Sequence, residues 1–109
     1  MAHEWVKEFP GRVEVCNRDG ILVEINDRGI AFEGGKIHVG DSVLACHPEP
    51  ARSKLAHLLA TGERNVYTIE KNGARRLIYQ APWFVDGQMA GVVELALDIP
   101  EVIPHFVRK

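Results

Sequence analysis

The sequence has no long hydrophobic run and no strong excess of either charge. No apolar stretch approaches the roughly 20 residues that a helix needs to span a bilayer, and the N-terminus lacks the basic and then apolar pattern of a signal peptide. The 13 basic and 15 acidic residues among 109 are scattered, so no basic stripe indicates nucleic-acid binding. We expect one cytoplasmic domain that contacts neither membrane nor nucleic acid.

Cysteine is scarce, and the motifs of common enzymes are missing. Cys16 and Cys46 form no CxxC pair, and unpaired thiols are the default for a cytoplasmic chain. A disulfide between them stays open, because sequence gives no distances. There is no GxGxxG motif or phosphate loop. Cys46 and His47 are consecutive, so on an extended chain they point apart, and no carboxylate is placed to orient the histidine. We expect no enzymatic activity.

Short elements punctuated by glycine and proline make up the chain instead. Alternation and turn residues predict strands at 13–16, 21–25, 65–70, 74–84 and 89–97, and helical periodicity predicts helices at 3–8, 27–32 and 50–60. Asp-Gly and Asn-Gly pairs mark the hairpin turns, and Pro82 predicts an edge or a bulge in its strand. The predicted fold class is α+β, a five-stranded antiparallel sheet with helices on one face.

Several segments, taken in this order, resemble a known family. They are 17–21 at the first hairpin, Asn26 before the first short helix, 39–43 with its Gly-x-Ser-hydrophobic pattern, 55–63 ending in Gly-Glu, and 86–93 with Asp98-Ile99 at the end. From about Val13 to Ile99 the chain resembles the PAS domain, with Pro100 in place of the usual threonine. The step His47-Pro48 is similar to that of a PAS subgroup in bacterial multidomain regulators. The predicted organisation is an N-terminal helix or flanking segment at 1–11, the PAS domain at 12–100 and a tail at 101–109.

The resemblance implies a sensor or signalling module. Such a module binds a small molecule or a partner, transmits a conformational signal to a downstream signalling protein, and often forms a homodimer. The alternative is a ligand-free module for docking or dimerisation. The chain ends without an output domain, so we expect a freestanding regulator or a fragment of a larger one.

Two groups of apolar side chains are candidates for these contacts. A dimer interface is predicted at a helix before the sheet, formed by Trp5, Val6 and Phe9; alternatively, this helix folds back on its own sheet. A ligand pocket is predicted between sheet and helices, and its apolar lining carries a few polar groups. The alternative is that the same side chains simply fill the core. The predicted pocket residues are Phe32, His47, Leu58, Leu77, Tyr79, Trp83 and Leu95.

The cofactor, if there is one, is not identified by the sequence. Haem-binding PAS sensors use a helix histidine, but aligning the helix ends puts Ala51 rather than His57 at that position. Cys46 and His47 are weak candidate ligands for haem iron or another metal, with His38 as a third ligand nearby. Flavin photochemistry is not expected, because Cys46 lies in a Leu-Ala-Cys-His-Pro context.

Overall fold

A computed structural model of the chain describes residues 4–109. It has a single open sheet. One short helix precedes the first strand, and the other three helices lie between the second and third strands in the chain. The elements are α1 (Glu4–Lys7), β1 (Arg12–Asn17), β2 (Leu22–Ile25), α2 (Asp27–Phe32), α3 (Val43–Cys46), α4 (Ala51–Thr61), β3 (Asn65–Lys71), β4 (Ala74–Val85) and β5 (Gln88–Ile99).

The five strands are arranged in the order β2-β1-β5-β4-β3, and every neighbouring pair is antiparallel. The first hairpin therefore joins the last strand of the three-stranded meander, through the pairing of β1 with β5. The predicted α+β fold class, with two strands followed by three, is confirmed. Pro82 lies beyond the end of β3, where β4 pairs only with β5, and just before a register shift at Trp83 and Phe84. The prediction for Pro82 is confirmed as well.

The hairpin turns follow from residues that accept positive φ angles. Asn72 (φ 54°) precedes Gly73 (φ 78°), and Asp86 (φ 51°) precedes Gly87 (φ 79°). This is the pattern of two-residue turns whose twist matches that of the strands. In the first hairpin only Gly20 has a positive φ. There the side chain of Asn17 accepts hydrogen bonds from the backbone N–H groups of Asp19 and Ile21.

Each helix after α1 begins or ends at a residue that favours a helix end. Asn26 caps α2 by accepting from the N–H of Gly29, and Ser42 caps α3 by accepting from the N–H of Ala45. Gly62, at φ 73°, ends α4 in the left-handed conformation that glycine adopts easily. These ends fix the helices over one face of the sheet, where α2 contacts β1 and α4 contacts β4 and β5.

The core lies between these helices and the sheet. Leu22 and Leu58 are almost completely buried, and the remaining core members are Cys16, Ile37, Val43, Leu55, Leu59 and Val92. No helix among residues 4–109 has the length and apolar character needed to cross a membrane.

Candidate functional site

A cavity of about 740 Å³ lies between the sheet and the helical segments. Strands β1, β3, β4 and β5 form its floor, and residues of α3, α4 and the loop between them form its wall. Its size falls within the range of small-molecule sites, roughly 300–1,000 Å³. Most of its lining is apolar, from side chains such as Val43, Leu55, Ile78, Val92 and Ala96.

Arg12 is at the centre of a buried polar cluster at one end of this cavity. Its guanidinium pairs with Glu94 across the β1–β5 ladder, with its Nε 3.2 Å from Glu14 Oε2 and its Nη1 3.8 Å from Glu33 Oε1. The side chains of Arg12 and Glu14 are only 10% and 9% exposed. The guanidinium also stacks on Phe32, with its carbon 3.9 Å from the ring centroid.

The cluster continues across the sheet through two amides. Gln80 Nε2 donates to Glu94 Oε1 at 2.5 Å, and Asn65 Nδ2 donates to Gln80 Oε1 at 2.7 Å. This chain of contacts runs from β1 through β5 and β4 to β3, and all of its members line the cavity. It fixes the orientation of the polar groups before any ligand arrives, which reduces the entropy lost on binding.

One carboxyl of the cluster is poised to change charge near neutral pH. Burial raises the pKa of Glu14 from its ordinary value of 4.5 to about 7; Arg12 opposes this shift, while Glu94 and Glu33 add to it. Burial also raises the pKa of the Cys16 thiol and that of the Tyr67 hydroxyl, which is less deeply buried. The thiol of Cys16 is thus held in its unreactive protonated form.

The cavity is open along one side. Phe32, Tyr67 and Ile69 line it and are nevertheless 54%, 44% and 36% exposed. Large apolar side chains left exposed around a concave surface are typical of a binding site.

Two of the seven predicted pocket residues, Phe32 and His47, line this cavity. The others do not. Leu58 is buried in the core. Side chains alternate along a strand, and Ile78 and Gln80 face the cavity, so Leu77 and Tyr79 point to the opposite, outer face. Leu95, paired with Tyr79, lies on the same face.

Trp83 also lies away from the cavity. Its indole Nε1 donates to the carbonyl of Cys16 on β1 at 2.9 Å. Strand β5 lies between β4 and β1, and the residue paired with Trp83 is Gly91. The ring therefore crosses β5 where there is no side chain to block it.

Sequence reasoning missed Arg12, Glu14 and Glu94, which form the polar end. Two signals pointed to them. Arg12 and Glu14 are two residues apart on a strand and so share a face. Glu94 interrupts the otherwise apolar run 92–97, and a charge in a buried strand requires a partner.

Cys46 and His47 both line the cavity, at the end of α3. Cys46 is exposed, whereas the ring Nδ1 of His47 donates to the carbonyl of Val43 at 2.5 Å. Within residues 4–109 no three His, Cys, Asp or Glu side chains are grouped so as to hold a metal ion, and His38, the third candidate ligand, contacts Asp41.

The histidine of the long helix points away from the cavity. His57 is half-exposed and contacts Glu63 Oε2 at 2.5 Å, and it is not part of the lining. Ala51 does line the cavity. The thiols of Cys16 and Cys46 are both free.

The three predicted interface residues differ in exposure. Trp5 is 66% exposed, Val6 is buried and Phe9 is half-buried. The rings of Trp5 and Phe9 meet edge to face, with centroids 6.1 Å apart. Phe9 and Leu97 both lie against the backbone of Gly11, so this segment packs at the outer face of the sheet.

Neither a protein-family model nor a curated protein matches the sequence, whereas solved structures match the fold closely. A C-terminal domain from Streptococcus mutans has a TM-score of 0.70 at 23% identity, covering 89% of this chain and 81% of that one. The PAS domain of Bordetella pertussis BvgS has a TM-score of 0.64 at 19% identity, covering 92% and 85%. A sensory box sensor histidine kinase from Vibrio cholerae has a TM-score of 0.61 at 16% identity, covering 91% and 90%. Together with the strand order and the helices on one face, these similarities show that the chain adopts the PAS fold.

Proposed function

We propose that this PAS domain is a sensory module that binds a small molecule in the cavity and passes a conformational signal to a partner. The observation that carries the proposal is the cavity of about 740 Å³, with an apolar lining and a pre-ordered polar end at Arg12. A ligand shifts a conformational equilibrium only through a difference in its affinity for two states. The wall of the cavity is incomplete at Phe32 and Tyr67. We expect this side to close over a bound ligand, so that the closed state binds the ligand more tightly than the open state.

The similarity of the fold to a sensor histidine kinase supports a signalling role. Binding rather than catalysis is the simpler use of this site. The Cys16 thiol is buried and protonated, and His47, the neighbour of the exposed Cys46, is engaged by a backbone carbonyl. The rival, a docking module with a filled core, would not need a cavity of this size. We place the module in the cytoplasm.

The test is a thermal-shift screen of the purified domain against a metabolite panel. A ligand at 100 times its Kd stabilises the folded state by about 2.7 kcal/mol, which corresponds to about 10 °C in Tm for a domain of this length. Ala51 lines the cavity, whereas Ala56, on the same helix, is exposed and does not. We expect Ala51→Phe to abolish the shift and Ala56→Phe to keep it. A hit that Ala51→Phe leaves unchanged would place the ligand elsewhere.

We further propose that the domain forms a homodimer through Trp5 and the outer face of the sheet. Trp5 is the most exposed large apolar side chain of the N-terminal segment, and Val66 on the outer face is 49% exposed. Phe9 connects Trp5 to the outer face of the sheet by packing beside Leu97. Large aromatic side chains carry much of the binding energy at protein interfaces. Val6 would support the interface from beneath, since it is itself buried.

Equilibrium sedimentation decides this point. The wild type should sediment as a dimer at micromolar concentration, and Trp5→Ala should weaken the dimer about tenfold or more. Phe106→Ala removes an aromatic that is 70% exposed, outside the proposed interface, and should change nothing. A monomeric wild type at that concentration refutes the dimer.

A further inference from the structure

The polar end of the cavity carries more negative charge than its one guanidinium balances. Arg12 faces three carboxylates, those of Glu14, Glu33 and Glu94, whose side chains are 9%, 24% and 17% exposed. Burial strengthens the electrostatic interactions of such groups, because little water screens them. The excess is thus one or two negative charges, depending on the protonation of Glu14.

The other charged groups of the lining do not compensate for this excess. On β4, the guanidinium of Arg76 is bound to Asp98, with Nε 3.0 Å from Oδ1. On α4, Lys54 is exposed to solvent. The remaining titratable groups of the lining are the His47 ring, which donates to a backbone carbonyl, the hydroxyl of Tyr67 on β3 and the free thiols of Cys16 and Cys46. None of them adds a cation beside the three carboxylates.

One oxygen in the cluster lacks a hydrogen bond. Glu14 Oε2 is fully buried within the protein and accepts none, and Arg12 Nε, 3.2 Å away, donates none. The two atoms are close, but their geometry does not form a bond. An unpaired buried polar atom costs roughly 1–3 kcal/mol, and more if it is charged. Glu14 belongs to the cavity lining, and the last torsion of a glutamate side chain rotates easily. A donor on a bound ligand would meet this need once the carboxyl turns Oε2 toward the cavity.

Extending the proposed function, on which this inference rests, we propose that the ligand is a small organic cation. Its ammonium or amidinium group donates N–H bonds to Glu14 and Glu94, and its apolar body packs on Ile78 and Val92. The ring of Phe32, which already attracts the guanidinium of Arg12 at 3.9 Å, favours a cation at this end of the cavity.

Other ligand classes fit the cluster less well. An anion would have to displace carboxylates from Arg12 and then lie among those that remain. A metal ion needs a set of ligands that residues 4–109 do not provide here. A neutral apolar molecule would leave Glu14 Oε2 without a hydrogen bond.

Binding of a cation is expected to depend on pH. Glu14 faces Arg12 on its own strand, Glu94 on β5 and Glu33 after α2, and its pKa is raised to about 7. The ionised form attracts the cation, so affinity rises as the pH increases through about 7, and binding releases a proton. The dependence should disappear when residue 14 cannot ionise.

Three probes of nearly the same shape test the charge directly: benzamidine, benzamide and benzoate. Isothermal titration calorimetry or NMR titration at about pH 8 measures each Kd, up to about 10 mM. Charge-assisted hydrogen bonds exceed neutral ones enough for about a tenfold preference. We expect benzamidine to bind about tenfold more tightly than the other two, and to bind more weakly at about pH 6.

Two variants keep the test independent of any one folding defect. Glu14→Gln and Glu94→Gln preserve side-chain shape, and each should reduce the benzamidine affinity about tenfold while leaving that of benzamide unchanged. Glu101→Gln makes the same charge change at an exposed position outside this cavity and should have no effect. A failure of both cluster variants to alter the preference overturns the inference.

The outcomes also separate this inference from the proposed function. If benzamide or benzoate binds as tightly as benzamidine, with shifts at Ile78 and Val92, the cavity binds small molecules but does not select cations. If none of the three binds, the cation inference falls, and the metabolite screen with Ala51→Phe decides the proposed function by itself.

Discussion

Arg12 Nε and Glu14 Oε2 lie 3.2 Å apart within the protein, and neither makes a hydrogen bond. Both side chains are about nine-tenths buried. The pairing of β1 with β5 places Glu14 directly opposite Glu94, so these two carboxyls share the guanidinium that Glu33 also contacts. Burial, with the neighbouring charges of Glu94 and Glu33, stabilises the protonated form of Glu14 against the opposing effect of Arg12, and this has a consequence for folding.

The free energy of unfolding should fall as the pH rises from about 4.5 to about 7. The pKa of Glu14 is raised in the folded state, to about 7 from an ordinary 4.5, so the folded protein holds a proton that the unfolded chain releases. Stability linked to that proton is fully present below about pH 4.5 and is lost as pH rises through about 7. Urea denaturation at a series of pH values measures the effect.

Glu14→Gln should flatten this dependence. Glutamine imitates the neutral carboxyl. The unfolding free energy of Glu14→Gln relative to that of the wild type should therefore increase with pH, by up to about 3 kcal/mol. Glu101→Gln, at an exposed position, serves as the control and should follow the wild-type curve. Parallel curves for the wild type and Glu14→Gln would mean that Glu14 is already ionised in the folded protein across this range.

Asn26 should be among the polar residues to which stability is most sensitive. It is 2% exposed, its carbonyl oxygen accepts from the N–H groups of Val13 and Gly29, and its amide donates to the carbonyls of Val6 and Gly11. One side chain thus joins α1, β1 and α2. Asn26→Ala leaves these groups unpaired and should lower the unfolding free energy by about 3 kcal/mol or more.

Ser42 provides the comparison, because it caps α3 through one hydrogen bond, to Ala45 N–H. Ser42→Ala should cost about 1 kcal/mol. Chemical denaturation of both variants measures the difference. Equal losses for the two substitutions would contradict a joining role for Asn26.

Gly91 should not accept any side chain. A Cβ atom there would lie 1.9 Å from the carbonyl oxygen of Cys16, in the path by which Trp83 reaches that same oxygen. We expect Gly91→Ala to prevent stable folding or to lower Tm by more than about 10 °C. Gly73→Ala, at a positive φ but with no atom within 4 Å of the new Cβ, should cost only about 1 kcal/mol. Similar thermal melts for the two would contradict this account.

The fold could be predicted from the sequence because local signals agree with one another. Asn72-Gly73 and Asp86-Gly87 define two hairpins, Asn26 marks a helix start, and Gly62 marks a helix end. Pro82 correctly indicated that its part of β4 lacks a neighbour on one side. Each of these depends on the conformation of a few adjacent residues, which sequence specifies directly.

The cavity lining was harder to predict, because the more apolar face of β4 is the outer one. Leu77 and Tyr79 lie on that face, whereas Arg76 and Gln80 flank Ile78 on the cavity face. Alternation gives two faces, and the usual preference for the apolar one selects the wrong face here. The polar cluster depends on the pairing of Glu14 with Glu94, 80 residues apart in sequence, and local patterns do not give that pairing. The available signals were the shared face of Arg12 and Glu14 and the charge of Glu94 in an apolar strand, and neither gives the pairing.

The central claim, that the cavity binds a small molecule, is tested most directly by a crystal structure of the domain with the strongest ligand from the metabolite screen. We predict density for that ligand between Ile78 and Leu55, with a polar group within hydrogen-bonding distance of Glu14 or Arg12. A cavity filled by the domain's own side chains, such as Phe32 and Tyr67, with the ligand bound at another surface, would contradict the account.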